Sequence, residues 1–219
     1  MNKLSKIFRR VLNAKYTHLD KETASYWFFK KKETLTIYFE KSNGATDWRN
    51  NFDFPAKPYR DMGNKWYAHR GFLKVWKVIE PHLVSAIKDP EIKTINIAGY
   101  SHGAAIALLC HEYCKFNRPD CNVTGVGFGC PRVIWGFIRT PVKKRFEGFT
   151  VVRNKRDIVT HVPPAIFGYR HPEGMLTIDD GVPCNGIDAH RAEGYLKSLI
   201  YYEEENAYED NKDIHTEGT

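Results

Sequence analysis

A Gly-x-Ser-x-Gly pentapeptide at residues 99–103 places a serine where it could act as a nucleophile. An apolar β-type run at 94–98 precedes it, and a small-residue helical run at 104–109 follows it. Where a strand turns sharply into a helix, the central serine is held in a strained backbone conformation, and the flanking glycines remove side chains that would collide. The turn also aims backbone N–H groups at the point where an oxyanion forms during acyl transfer. The pentapeptide in this setting predicts that Ser101 is an activated nucleophile.

A serine nucleophile needs a base and an acid that orients the base. In a fold of this type both follow the serine, first an Asp or Glu and then a His. Asp157 comes just after an apolar strand pattern at 149–152, which places a carboxylate at the end of a strand. His161, His171 and His190 are candidate bases, and their spacing alone leaves all three open.

These side chains need a sheet and helices to position them. The apolar patterns predict strands at about 34–40, 94–99, 122–129, 149–153 and 175–179, and helices at about 72–88, 101–116 and 189–204. Strands and helices alternate, so we expect an α/β fold with a largely parallel central sheet flanked by helices. No linker divides the chain, so we expect one domain over 1–219, with a basic N-terminal helix at 1–15 and a flexible acidic tail at 205–219.

Composition limits the function classes. The 219 residues carry a net charge of +7, yet the basic residues are scattered and form no nucleic-acid motif, so we expect no nucleic-acid partner. The charge favours peripheral contact with an anionic membrane, and the helical pattern at 4–12 fits either such a contact or, as the preferred interpretation, docking on the domain. Without a signal-peptide pattern or a membrane span, the sequence predicts a cytoplasmic location, and it leaves the oligomeric state open.

The five cysteines have no regular spacing and suggest reduced thiols rather than a disulfide framework. Cys110, His111, Cys114 and Cys121 raise the alternative of a zinc site, but they do not supply a complete ligand set with paired spacing. Packing explains these residues better than a zinc site. We expect no metal and no organic cofactor, because a serine activated by a neighbouring base is itself the nucleophile.

At this point the chain resembles a known family, the class 3 lipases, which are α/β-hydrolases of the fungal triacylglycerol lipase type. The resemblance runs from about residue 34 to 200 and rests on several short motifs in the family's order. They are Ile37-Tyr38-Phe39-Glu40-Lys41-Ser42 with Asp47-Trp48, His69-Arg70-Gly71-Phe72, the Ser101 pentapeptide, Gly127-Phe128-Gly129-Cys130-Pro131-Arg132-Val133, Asp157 through Pro163-Pro164, and His190.

The resemblance implies a serine ester hydrolase with the triad Ser101, Asp157 and His190. It also implies that Ser42 and the backbone N–H of His102 form the oxyanion hole. The alternatives are a phospholipase that acts at anionic membranes and a catalytically impaired lipase-like binding protein.

Two departures from the family pattern concern the oxyanion hole and the pentapeptide. Glu40-Lys41 replaces the family's Arg-Gly before the oxyanion serine, and Tyr100 and His102 stand where many relatives carry His and Leu. We expect the His102 side chain to face solvent. Asn51, nine residues after Ser42, matches the family residue that steadies the oxyanion hydroxyl.

The remaining expectations concern the substrate. The region at 52–66, where relatives carry the lid, is short and interrupted by prolines, which favours a pocket wall and predicts no interfacial activation on emulsions. Tyr100, Trp66, Ile166 and Phe167 are the candidate substrate-binding residues, with Ile166 and Phe167 along the acyl groove.

Overall fold

The computed structural model describes residues 3–19, 24–41, 56–59 and 66–216, and in these ranges the chain forms two sheets and five α-helices. The strands are β1 (Thr17–His18), β2 (Ser25–Lys31), β3 (Thr34–Phe39), β4 (Ala56–Tyr59), β5 (Trp66–His69), β6 (Thr94–Tyr100), β7 (Asn122–Phe128), β8 (Ile134–Trp135), β9 (Phe149–Asn154), β10 (Tyr169–Arg170) and β11 (Met175–Ile178). The helices are α1 (Leu4–Asn13), α2 (Arg70–Ile87), α3 (His102–Asn117), α4 (Thr140–Lys143) and α5 (Ala192–Thr216). Among the described residues, no helix has the length and apolar character needed to cross a bilayer.

The larger sheet has seven strands in the order β1-β2-β3-β6-β7-β9-β11. Strands β3, β6, β7, β9 and β11 are parallel, and β1 and β2 extend the sheet in antiparallel pairs beside β3. The predicted α/β fold with a largely parallel sheet is confirmed. The antiparallel strands β1 and β2 were not predicted.

Side chains that alternate along each strand divide the core into two layers. On β6, Ile97 packs into the layer that holds α2 and α3, whereas Ala98 and Tyr100 pack into the layer that holds α1 and α5. The β-branched and apolar residues at the buried positions of β6 are why the pattern at 94–98 predicted a strand.

Helix α1 docks on the sheet, as the preferred interpretation of its pattern expected. Phe8 and Val11 on its apolar face are buried, and Phe8 has no exposed surface. Burying a side chain of this size stabilises the fold by about 2–3 kcal/mol. The apolar face of α1 is therefore occupied by the core.

The segment expected to be a flexible acidic tail is helical for most of its length, because α5 continues to Thr216. Glu203, near the start of the acidic run, is tied to the N-terminal helix. Its carboxylate accepts hydrogen bonds from the backbone N–H of Ser5 at 2.8 Å and from the Ser5 hydroxyl at 2.6 Å. A carboxylate at a helix N-terminus satisfies an amide that has no intrahelical acceptor and interacts favourably with the helix dipole.

The second sheet, in the order β10-β8-β5-β4, is antiparallel and was not predicted. Its strands have two to four residues each, too few for a periodic signal. Pro58 lies in β4 at the edge of this sheet, where a missing N–H costs no ladder hydrogen bond. Within the region at 52–66, expected to form a pocket wall, residues 56–59 and 66 thus belong to regular strands, and the other residues lie outside the described ranges.

Candidate active site

Ser101 occupies a sharp turn between β6 and α3. Its backbone has φ +58° and ψ −124°, an unusual conformation for a non-glycine residue. Its N–H donates to the carbonyl of Phe128 at 2.8 Å, which ties the turn to the neighbouring strand. A Cβ on Gly99 would lie 2.2 Å from the carbonyl oxygen of Gly103, and one on Gly103 would lie 2.4 Å from that of Phe39. Both flanking glycines are therefore required by close backbone approach.

The structure brings Ser101, His190 and Asp157 together. His190 Nε2 lies 2.8 Å from Ser101 Oγ, and His190 Nδ1 lies 2.8 Å from Asp157 Oδ2. Since the carboxylate accepts a hydrogen bond from Nδ1, the neutral imidazole presents a lone pair on Nε2 to the serine hydroxyl. Asp157 is fully buried, while the His190 side chain is 15% exposed.

The loops at the carboxyl ends of the strands place the acid and the base. Asp157 follows β9 and caps the 3-10 turn Ile158–His161, with Oδ1 accepting from the N–H of Val159 at 2.8 Å. His190 ends the 3-10 turn Asp188–His190, and α5 begins two residues later at Ala192. Carboxyl ends of parallel strands meet at one edge of the sheet, so residues distant in sequence converge there.

The other two candidate histidines make contacts within the turn after Asp157. His161 Nδ1 lies 2.9 Å from the carbonyl oxygen of Asp157, and His171 Nε2 lies 2.7 Å from that of Thr160. Burial lowers the pKa of His171 to about 4. Of the three candidates that spacing left open, His190 is the one in contact with Ser101.

We expect the substitution His171→Gln to reduce the acid sensitivity of folding. An unfolded histidine takes up its proton near pH 6.5, whereas His171 in the folded protein does so near pH 4. As the pH falls, the unfolded state binds the proton first. The free energy of unfolding is therefore undiminished above pH 6.5 and falls as the pH drops toward 4. Between pH 7 and pH 5 this loss is about 2 kcal/mol for one histidine. Urea unfolding at both pH values measures it, and an equal loss in variant and wild type would contradict this assignment.

Tyr195, which the sequence analysis missed, contacts the acid of the triad. Its hydroxyl donates to Asp157 Oδ2 at 2.6 Å and accepts from the N–H of Asn154 at 3.1 Å. Burial and the neighbouring Asp157 carboxylate raise the pKa of Tyr195, so its hydroxyl stays protonated. Asp157 thus accepts hydrogen bonds from Val159, His190 and Tyr195 together. Tyr195 follows the candidate base His190 by five residues and lies on the apolar face of a predicted helix. This is the sequence signal that could have identified it.

Two expected substrate-binding residues lie in the core instead. Tyr100 is 3% exposed, because its side chain points into the layer with α1 and α5. Trp66 is 1% exposed and packs edge-on against Tyr59 and Phe146 within the layer that holds α2 and α3. Both predictions were wrong, since a residue next to the nucleophile or in a loop region need not face the pocket.

Ile166 and Phe167, the other two expected substrate-binding residues, are on the surface. They lie in the 3-10 turn Ala165–Phe167 and are 87% and 64% exposed. The turn is held to β8, because the indole N–H of Trp135 donates to the Phe167 carbonyl at 2.8 Å. It lies in the connection between β9 and β10, which also contains Asp157.

His102 starts α3, and its side chain is half-buried against Phe72, with ring centroids 5.5 Å apart. Burial lowers the pKa of His102 to about 4, so the imidazole is neutral at pH 7. The expectation that this side chain faces solvent was wrong, because the start of α3 lies against α2. Ser42 and Asn51 lie outside the described residues. Glu40, which stands in place of the family's Arg, lies within the described residues, and its carboxylate is 3.3 Å from His18 Nδ1.

Comparisons with known proteins give a consistent picture. A lipase from Rhizomucor miehei is 30% identical over 162 residues, which cover 69% of this chain and 44% of that protein. A secreted mono- and diacylglycerol lipase from Fusarium solani is 25% identical over 155 residues, covering 68% of this chain and 45% of that protein. The chain thus spans a little under half the length of these relatives.

The similarity extends to three dimensions. The structure of the Rhizomucor miehei lipase in complex with its propeptide superposes with a TM-score of 0.67 at 27% identity. The superposition covers 77% of this chain and 57% of that one.

The expected cytoplasmic location is contradicted by these comparisons. The Fusarium solani relative is named a secreted lipase. The prediction was wrong because it relied on the absence of a recognisable leader in the residues at hand.

The family follows from the extent of the match. A model described as Lipase (class 3) matches residues 36–167, a segment that includes Ser101 and Asp157 and more than half of the chain. The sequence motifs, the parallel sheet and the matched segment all agree. This protein belongs to the class 3 lipase family.

Proposed function

We propose that this protein is a serine carboxylic-ester hydrolase that cleaves acyl esters through an acyl-enzyme on Ser101. The proposal rests on the continuous contacts from the Ser101 hydroxyl through His190 to the buried Asp157 carboxylate, both at 2.8 Å. Membership of the class 3 lipase family supports it. All three residues come from loops of one sheet, and we propose that residues 1–219 act as a single catalytic domain.

In the proposed reaction, His190 takes the proton of the Ser101 hydroxyl as the serine oxygen attacks the ester carbonyl. Asp157 holds the imidazole in the required tautomer and stabilises the imidazolium. When the tetrahedral intermediate collapses, the alcohol leaves with the proton from His190. Water, activated by the same imidazole, then hydrolyses the acyl-enzyme and regenerates Ser101.

Two donors are proposed for the oxyanion, the backbone N–H of His102 and Ser42. Because α3 begins at His102, this N–H lies at the helix start, where amides have no intrahelical acceptor and the helix dipole favours negative charge. Strand β3 ends at Phe39, which pairs with Gly99 beside the nucleophile turn. Ser42 follows Phe39 by three positions in the sequence, and its proposed role rests on the family motif.

The substitution Ser42→Ala is expected to lower kcat by about two to three orders of magnitude, because losing one oxyanion donor costs about 3 kcal/mol of barrier. Asn51, proposed to hold the Ser42 hydroxyl, should give a smaller loss of the same kind when replaced by alanine. Steady-state hydrolysis of a p-nitrophenyl ester measures both effects. Unchanged turnover in Ser42→Ala would remove Ser42 from the reaction.

Ile166 and Phe167 are proposed to contact the acyl chain. Both are exposed apolar side chains in the connection that also contains Asp157. Exposed apolar side chains grouped at one place are typical of binding surfaces.

Peripheral contact with an anionic lipid surface is a further part of the proposal, and a phospholipid is the alternative substrate. Lys6 and Arg9 are exposed on α1, whereas Phe8 on the opposite side is buried. With its apolar face occupied, α1 can attract such a surface through its charges but cannot insert. Binding of the protein to anionic vesicles should therefore weaken as salt is added, and salt-independent binding would exclude this contact.

Three assays test the proposed function. The first is fluorophosphonate labelling, the second is hydrolysis of p-nitrophenyl esters of increasing chain length, and the third is hydrolysis of phospholipid vesicles. Labelling of the wild type establishes an activated serine, the preferred chain length separates an esterase from a lipase, and fatty-acid release from vesicles identifies a phospholipase. A folded wild type that is not labelled would point to the alternative of a lipase-like binding protein.

A further inference from the structure

Tyr100 contacts the proposed base from inside the protein. Its hydroxyl donates a hydrogen bond to the backbone carbonyl of His190, and its ring is stacked on the imidazole at 5.3 Å with an interplanar angle of 28°. Burial raises the pKa of Tyr100, so the hydroxyl remains a donor. Tyr100 is joined directly to Ser101, and it therefore links the nucleophile and the base through a second route besides their side-chain contact.

The backbone around His190 depends on such contacts. His190 ends a 3-10 turn of three residues, a short element with few hydrogen bonds of its own. Two carbonyls of this turn are held by buried side chains: the Asn154 amide donates to the Ala189 carbonyl at 2.8 Å, and Tyr100 donates to the next one. The turn is thus anchored to β9 and β6, the strands that also lead to Asp157 and Ser101.

Helix α1 completes the packing around Tyr100. The fully buried ring of Phe8 meets Tyr100 edge-on, with centroids 5.2 Å apart at 88°, and contacts Tyr195 at 5.7 Å. Tyr195 in turn donates to the Asp157 carboxylate. One residue of the N-terminal helix therefore packs against both tyrosines that contact the base and the acid.

Given the ester hydrolysis proposed above, we propose that Tyr100 is a positioning residue that holds the His190 imidazole in line with Ser101, and that α1 supports it through Phe8. The hydroxyl is the essential group, because phenylalanine would keep the ring stack and leave the His190 carbonyl without this donor. A base displaced by a fraction of an ångström slows proton transfer while leaving the ester-binding surface unchanged.

Tyr100→Phe tests the role of the hydroxyl, with Tyr113→Phe as the control because Tyr113 is a buried tyrosine that packs against Trp76. We expect kcat for a p-nitrophenyl ester to fall about tenfold with KM unchanged. The fluorophosphonate labelling rate should fall in parallel, while the control keeps wild-type rates. Wild-type kcat and labelling rate in Tyr100→Phe, or an equal loss in the control, would overturn the proposal. A wild type that is neither labelled nor active would instead refute the proposed hydrolase function.

A double-mutant cycle tests the support from α1. Phe8→Leu should also lower kcat at unchanged KM. In the double variant with Tyr100→Phe, the fold-loss of kcat should be smaller than the product of the two single fold-losses. Purely multiplicative losses would show that α1 acts independently of Tyr100 and would overturn that part. If Phe8→Leu does not fold, Ser5→Ala, which removes the hydroxyl contact with Glu203, takes its place in the cycle with the same criterion.

Discussion

Replacing Ser101 with alanine is expected to abolish fluorophosphonate labelling and to lower kcat for ester hydrolysis by about four orders of magnitude or more. The variant keeps the oxyanion donors and the binding surface but has no oxygen to form the acyl-enzyme. The fold should be retained, because alanine is smaller than serine and the turn is set by backbone hydrogen bonds and by the close approach of Gly99 and Gly103.

Ser198→Ala is the matched control, since Ser198 is a fully buried serine on α5. We expect this variant to be labelled and to turn over ester at wild-type rates. Comparison of both variants with wild type, after circular dichroism has shown equal folding, separates loss of the nucleophile from loss of structure. Persistent labelling of Ser101→Ala would mean that another residue is the nucleophile.

Asp157→Asn is expected to lower kcat by about 10⁴-fold while leaving the fold and the ester KM nearly unchanged. Asparagine has the same shape, and its carbonyl oxygen can accept from the Val159 N–H. Its amide would then face His190 as a donor, so the imidazole would have to accept at Nδ1 and carry its proton on Nε2. A histidine in that tautomer cannot take the proton of Ser101.

The control for this substitution is Asp179→Asn, because Asp179 is an exposed carboxylate that follows β11. It should retain wild-type kcat. Steady-state rates measured over pH 6 to 9 would show the Asp157→Asn loss across the range, whereas a modest loss that disappears at high pH would contradict the proposed tautomer role. Each variant should also be tested for labelling, which depends on the same proton transfer.

The regular elements were predictable where burial imposes a simple period. The strands at 94–100 and 122–128 and helix α3 are close to their predicted bounds, since their buried positions carry apolar or small side chains in a recognisable pattern. The second sheet was not predictable, because strands of two to four residues are stabilised by their neighbours and not by their own pattern.

The directions in which individual side chains point were harder to predict from the sequence. Tyr100 and Trp66 were expected in the pocket and are buried in the core, because alternation on β6 and pairing of β5 with β4 decide where they point. His102 was expected in solvent and is held against Phe72, because α2 packs beside α3. Each error concerned a contact with an element distant in sequence.

The sequence by itself determined that this protein has an α/β fold and that Ser101 is its candidate nucleophile, because both depend on local patterns: alternating apolar runs and a strand–turn–helix pentapeptide. It left His161, His171 and His190 open until the family resemblance favoured the last. Only the tertiary structure placed His190 against Ser101 and joined Tyr100, Tyr195 and Phe8 to the same cluster. These contacts arise where loops from parallel strands meet at one edge of the sheet, and sequence spacing does not encode such long-range proximity.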